Sequence, residues 1–305
     1  MRIIPSEHPR PLNLLAVGAA GLVVAACDWF GTAERAEAWD AATGARRWVI
    51  QPIGGGFRCL ALLLDGAHLF TADSEGQRLF ALPAGREPVE VSRIRMPIES
   101  AAAGNRVVVA RSGADPDLWC WGVPDMNQLW VRAREDRWGP HPQFGPMALA
   151  PTGDRFALSV REEATHPKQS ISVRDAHTGA PRATVSFDPA DPVQQLAFTA
   201  DGSKLLVRAN GRTVRVFDAH TGAPAGELVH PGRPYVTGIA VHPRGPVACA
   251  RTDGTVTLWD AEKGEKLRTF DWKAGRLVSI AFSPDGALGA AGTEDGKVIV
   301  WDADL

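Results

Sequence analysis

Val256-Thr257-Leu258-Trp259-Asp260-Ala261-Glu262-Lys263-Gly264 and Val298-Ile299-Val300-Trp301-Asp302-Ala303 are two copies of one pattern, with their tryptophans 42 residues apart. Asp253-Gly254 precedes the first copy and Asp295-Gly296 the second. An Asp-Gly pair leading into a short alternating apolar run is a hairpin signal. Recurrence at this spacing marks a repeat architecture, in which each unit buries its faces only against its neighbours.

Working backwards, Val214-Arg215-Val216-Phe217-Asp218-Ala219-His220-Thr221-Gly222 and Ile171-Ser172-Val173-Arg174-Asp175-Ala176-His177-Thr178-Gly179 keep the Asp and the Gly at steps of 42 and 43 residues. Ala38-Trp39-Asp40-Ala41-Ala42-Thr43-Gly44 is an earlier copy, and two worn ones centre on Phe80 and Trp121. The chain therefore reads as seven units, centred on positions 39, 80, 121, 174, 217, 259 and 301. A second marker precedes them: an apolar run closing on a Gly turn, as in Val278-Ser279-Ile280-Ala281-Phe282-Ser283-Pro284-Asp285-Gly286 and Gln195-Leu196-Ala197-Phe198-Thr199-Ala200-Asp201-Gly202. Each unit thus reads as strands a, b, c and d separated by tight turns. In the Asp-Ala-His-Thr-Gly turns the carboxylate is expected to accept backbone hydrogen bonds, with Gly179 and Gly222 at positive φ.

Trp39-Asp40, Trp259-Asp260, Trp301-Asp302, the variants Phe217-Asp218 and Arg174-Asp175, and the Ser283-to-Gly286 turn together resemble the WD-repeat (WD40) family of β-propellers. The resemblance implies an all-β fold: a single seven-bladed β-propeller of four-stranded antiparallel blades spanning residues 1–305. The Gly-His pair that opens most repeats of that family is absent. Its buried Asp-His-Ser/Thr-Trp hydrogen-bond sets are thus expected to be missing, leaving stability to apolar packing.

The last copy reaches only strand c before Leu305, so residues 1–5 are expected to supply the fourth strand of the seventh blade, as the N-terminus commonly does in the family. Strand a of the first blade is then Leu12 to Val17 and strand b Leu22 to Cys27. Val24-Ala25-Ala26-Cys27 also resembles a lipoprotein cleavage box. Cleavage there would delete two strands of the first blade and the closing strand of the last, so the segment reads as structure. A cytoplasmic protein is expected, with a lipid-anchored extracytoplasmic one through Cys27 as the alternative.

With 45% hydrophobic and 22% charged residues and a net charge of -2, disorder is excluded and no overall field draws nucleic acid or an anionic membrane. Cys27, Cys59, Cys120 and Cys249 share no metal-ligand spacing and read as buried reduced thiols. His177 and His220 repeat at one turn position, which explains them better than a metal site. Neither a Gly-rich phosphate loop nor a catalytic elbow motif appears, so no catalytic residue, cofactor or metal is assigned and an enzyme is not expected.

The spacing from Trp121 to Arg174 is 53, against 41 to 43 elsewhere. The surplus is assigned to a d-to-a loop, Ala133 to Pro146, and a b-to-c loop, Arg161 to Ser170, with a third enlarged b-to-c loop at Asp28 to Arg35. Arg134, Arg137, Trp138, His141 and Phe144 in the first, Glu162, Glu163, His166 and Lys168 in the second, and Trp29 and Phe30 in the third combine aromatics with both signs of charge. Such mixtures suit protein contact. The leading expectation is a non-catalytic interaction module or scaffold that binds a protein or peptide through this rim, as a monomer within a larger assembly. Trp48, four residues after Gly44, also resembles the repeat of quinoprotein-type propellers, which include quinone-dependent dehydrogenases and outer-membrane assembly lipoproteins. A small ligand in the central channel is a third reading.

Overall fold

The computed structural model describes residues 1–6, 10–18, 20–26, 35–63, 66–104, 106–112, 117–132, 143–162, 168–188 and 191–303. Strand β1 (Arg2–Pro5) comes first, and the others follow in sets of four. Blade one is β2 (Leu14–Val17), β3 (Leu22–Ala26), β4 (Ala36–Asp40) and β5 (Arg46–Ile50). Blade two is β6 (Cys59–Leu63), β7 (His68–Asp73), β8 (Gly76–Ala81) and β9 (Val89–Ile94). Blade three is β10 (Ile98–Ala103), β11 (Val107–Ser112), β12 (Leu118–Gly122) and β13 (Asn127–Arg132). Blade four is β14 (Gln143–Leu149), β15 (Arg155–Glu162), β16 (Lys168–Asp175) and β17 (Pro181–Phe187). Blade five is β18 (Gln195–Phe198), β19 (Lys204–Arg208), β20 (Thr213–Asp218) and β21 (Pro224–Val229). Blade six is β22 (Val236–Val241), β23 (Val247–Arg251), β24 (Thr255–Asp260) and β25 (Glu265–Asp271). The seventh blade is β26 (Leu277–Phe282), β27 (Leu288–Thr293), β28 (Lys297–Asp302) and the N-terminal β1.

The fold is thus an all-β seven-bladed propeller of four-stranded sheets, with every third strand at the position read from the repeat. The chain divides into two compact units. One comprises residues 1–98, 237–260 and 266–305 and carries blades six, seven, one and two; the other comprises 99–236 and 261–265 and carries blades three, four and five.

In the first unit β1 closes blade seven as expected: Arg2 pairs with Val300, Ile3 with Ile299 and Ile4 with Val298. Blade seven then packs on blade one. Ile4, Leu12, Val17, Val23, Ala25 and Trp39 share one apolar core with Ala290, Val298 and Val300. The Ser279 hydroxyl donates to the Leu12 carbonyl at 2.5 Å, and the Leu12 amide donates to the Thr293 carbonyl at 3.3 Å. Leu12, expected within strand a, therefore precedes it and serves this seam; the strand begins at Leu14. Residues 22–26 form the buried β3, while Cys27 lies outside the described residues.

Between blades one and two, small side chains on one face receive large ones from the other. Ala16, Ala26, Ala36 and Ala38 share a cluster with Trp48, Phe57, Leu60, Leu69 and Phe80. In blade seven the closest approach is at Gly289, whose cross-strand partner is Trp301; a Cβ there would lie 2.3 Å from the indole, so only Gly fits. The clusters joining neighbouring blades within each unit are apolar. Within β24 the Trp259 indole donates to Thr257 Oγ1 at 3.1 Å.

His242, fully buried, ties the a-to-b turn of blade six to that of blade seven. Its Nδ1 accepts from the Arg244 amide at 3.1 Å, which leaves Nε2 protonated to donate to the Gly286 carbonyl at 2.9 Å. Both ring nitrogens are used, so the histidine is structural.

Candidate interaction site

Blade four is where the chain departs from its own repeat. Its strands run 7, 8, 8 and 7 residues, whereas the b strands of the other blades run 5 or 6. The surplus that the sequence assigns to loops is therefore partly strand. Glu162 pairs with Lys168, Arg161 with Gln169 and Val160 with Ser170, so both ends of the expected Arg161-to-Ser170 loop are strand, and residues 163–167 lie outside the described residues. At the same end Gln143 pairs with Arg161 and Phe144 with Val160, so the expected Ala133-to-Pro146 loop ends where β14 begins. The ladder supplies the reason: backbone groups that a loop would leave to water are paired across four strands.

This extension carries the strand ends beyond the usual length by two or three residues, roughly 7–10 Å. Of the expected contact residues, Glu162 and Lys168 form the last pair of the b-to-c hairpin. Trp29, Phe30, Arg134, Arg137, Trp138, His141, Glu163 and His166 lie outside the described residues.

Phe144 is not a free rim aromatic. It is half-buried on β14, packs against the core shared by blades three and four, and carries the Arg111 guanidinium 4.0 Å above its ring. Arg111 itself is buried and ion-paired with Glu99, and burial pushes its pKa down to about 10. The pair braces the base of the projecting end.

A tryptophan that the repeat reading passes over completes the support. Trp130, on the outer strand of blade three, donates from its indole to the Ala176 carbonyl of blade four at 2.9 Å and stacks on Phe156 with centroids 6.0 Å apart. A Cβ on Gly179 would come within 2.9 Å of the same ring, so the Gly that closes the turn also makes room for the neighbouring blade's tryptophan. Trp130 follows Met126 by four residues as Trp48 follows Gly44, and Met126 takes the glycine's positive φ, at 53°. Trp48 is likewise buried between blades one and two. These two tryptophans are inter-blade bolts.

Residues 223–260 and 264–302 match the family described as WD domain, G-beta repeat. Two WD40 repeats are thus present, within a seven-bladed β-propeller. Its relatives include an LST8 homolog from Drosophila pseudoobscura pseudoobscura, 24% identical over 65% of this chain and 60% of that protein. A small ribosomal subunit protein RACK1y from Oryza sativa subsp. japonica is 41% identical over 22% of this chain and 20% of its own length. A serine-threonine kinase receptor-associated protein from Bos taurus is 27% identical over 36% of this chain and 31% of that protein. The matched stretches span less than two thirds of the LST8 homologs. WD40 propellers are typically protein-interaction scaffolds and mostly non-catalytic.

The WD40 turns behave as read. Asp40 Oδ1 accepts from the Thr43 amide at 2.8 Å, Asp175 Oδ1 from the His177 and Thr178 amides at 2.9 and 2.8 Å, and Asp218 Oδ1 from the His220 and Thr221 amides at 3.0 and 2.8 Å. Gly44, Gly179 and Gly222 follow at φ of 75°, 69° and 75°. His220 is taken by Arg155, whose Nη1 lies 3.1 Å from Nε2 and 3.2 Å from Nδ1. Among the described residues no cluster of His, Cys, Asp or Glu has the makings of a metal site, and no helix is long and apolar enough to cross a membrane. Cys59, Cys120 and Cys249 are free, and burial pushes the Cys120 thiol up to about 12.

Hydrogen bonds from Arg47, Arg155 and Arg182 hold Asp40, Asp154 and Asp175 at a pKa of about 2. A carboxylate depressed in the folded state adds stability that is complete above its unfolded value near ~4 and lost as pH falls toward ~2. The thermal midpoint of the WD40 propeller is expected to fall across that window. Asp40→Asn, Asp154→Asn and Asp175→Asn combined should flatten the fall, as melting at stepped pH would show; an unchanged slope would contradict the assignment.

Proposed function

We propose that the protein is a non-catalytic scaffold whose residues 1–305 work as one domain, holding a protein or peptide at the d-to-a and b-to-c end of blade four. The observation that carries this is the lengthening of the a, b and c strands of that blade, whose ladder runs on at that end, braced beneath by Arg111, Phe144 and Trp130. A longer hairpin stiffened from beneath lowers the ordering entropy that binding at this end must overcome. The names of two relatives, a ribosomal subunit protein and a receptor-associated protein, fit a component of an assembly.

Since Phe144 supports the core, the informative variants are Arg137→Ala and Trp138→Ala. Affinity capture from the native cell followed by mass spectrometry is expected to lose its specific partner on the double substitution, with the thermal midpoint unchanged. Capture that survives the double substitution would sink the reading.

A further inference from the structure

On the face of blade four that packs toward blade five, the projecting end holds polar groups that its neighbours leave unanswered. Gln169 is 4% exposed, and its Nε2 has no hydrogen-bond partner among the described residues. Its cross-strand partner on β15 is Arg161, half-buried and engaged by no hydrogen bond or ion pair among the described residues. Its partner on β17 is Phe187, over whose ring the Arg215 guanidinium sits at 4.6 Å. Arg215 remains 39% exposed, with Asp191 at 3.6 Å as its acid. Paired positions on neighbouring strands share a face with Cβ atoms ~5 Å apart, so Arg161 and the Gln169 amide converge.

The chemistry of this group is one-sided. A guanidinium only donates, and the orphaned part of Gln169 is its NH2, also a donor. A buried donor left unmade is expensive, so the site is incomplete without an acceptor. Arg161 has no acid against it among the described residues, which favours an acceptor that is charged, and a carboxylate accepts only and matches a guanidinium geometrically. The near-neutral chain supplies no broad basic field of the kind a nucleic-acid backbone selects.

We propose that Arg161 and Gln169, flanked by Arg215, form a subsite for the carboxylate of an Asp or Glu side chain in a peptide segment of the partner. This deepens the scaffold reading above and rests on it.

The probe is a fluorescein-labelled peptide of alternating Gly and Glu, set against its Gly-Gln counterpart, with anisotropy for affinity and the Gln169 side-chain amide resonance for location. The Glu peptide is expected to bind more tightly and to shift that resonance, and Arg161→Met and Gln169→Leu each to weaken it about tenfold or more. Gln169→Leu should leave the thermal midpoint unchanged or raised, because it removes a buried NH2 that has no partner among the described residues. Equal binding of the two peptides, binding indifferent to both substitutions, or a lowered midpoint in Gln169→Leu would each overturn the subsite. If capture is lost in the Arg137→Ala, Trp138→Ala protein while the peptide ignores Arg161 and Gln169, the subsite falls and the scaffold reading stands. If capture survives that substitution, the scaffold reading falls even where the Glu peptide binds.

Discussion

Deleting residues 2–5 is expected to lower the thermal midpoint by about 10 °C and to make the protein self-associate. The strand contributes the ladder to β28 and the burial of Ile4, which is 2% exposed in the core shared by blades seven and one. Burying one such side chain is worth about 1.5–3 kcal/mol, and the ladder adds of order one more. The deletion also turns β28 from an interior strand into an edge of unpaired N–H and C=O groups, the template for strand addition. The intact outer strand guards against this, since Pro5 sits in it and lacks an N–H to offer. Calorimetry with light scattering checks both effects, and a peptide of residues 1–6 added in trans should restore part of the midpoint. An unchanged midpoint would refute the closure.

Trp130→Ala should cost about 3 kcal/mol and Trp130→Phe about 1, measured by denaturant unfolding. Alanine removes the stack on Phe156 and leaves a gap against Gly179; phenylalanine keeps the stack and loses only the donor to the Ala176 carbonyl. Equal losses in the two variants would mean that the hydrogen bond carries the whole effect and the packing none.

The fold was legible because its markers are local. The Asp-x-x-Thr-Gly turn needs nothing beyond its own residues, so Asp175 and Asp218 could be read from sequence alone even where Arg174 and Phe217 replace the tryptophan. Trp130 escaped because Met126 stands where the turn glycine belongs, although the offset from turn to tryptophan is the same as at Trp48. His242 escaped because its role depends on Gly286, a turn in the next blade. The strand ends of blade four were read as loops because Arg161, Glu162, Lys168 and Gln169 are polar on both faces, and alternation cannot show where such a ladder stops. Phe144 looked like a contact residue by composition; its place over the core, under Arg111, depends on a neighbouring blade.

The pairing of Arg2 with Val300 also sets the order of events during synthesis. Strand β1 waits longest for its partner, because β28 is translated only after the six intervening blades. At about 5–20 residues per second, β1 waits roughly 15–60 s before blade seven can close. Through that interval the inner blades can form by local hairpins while an apolar tail, Ile3-Ile4, stays exposed. The closure that holds the finished propeller together is therefore also the step at which a nascent chain is most open to chaperones, or to the loose strand of a neighbouring copy.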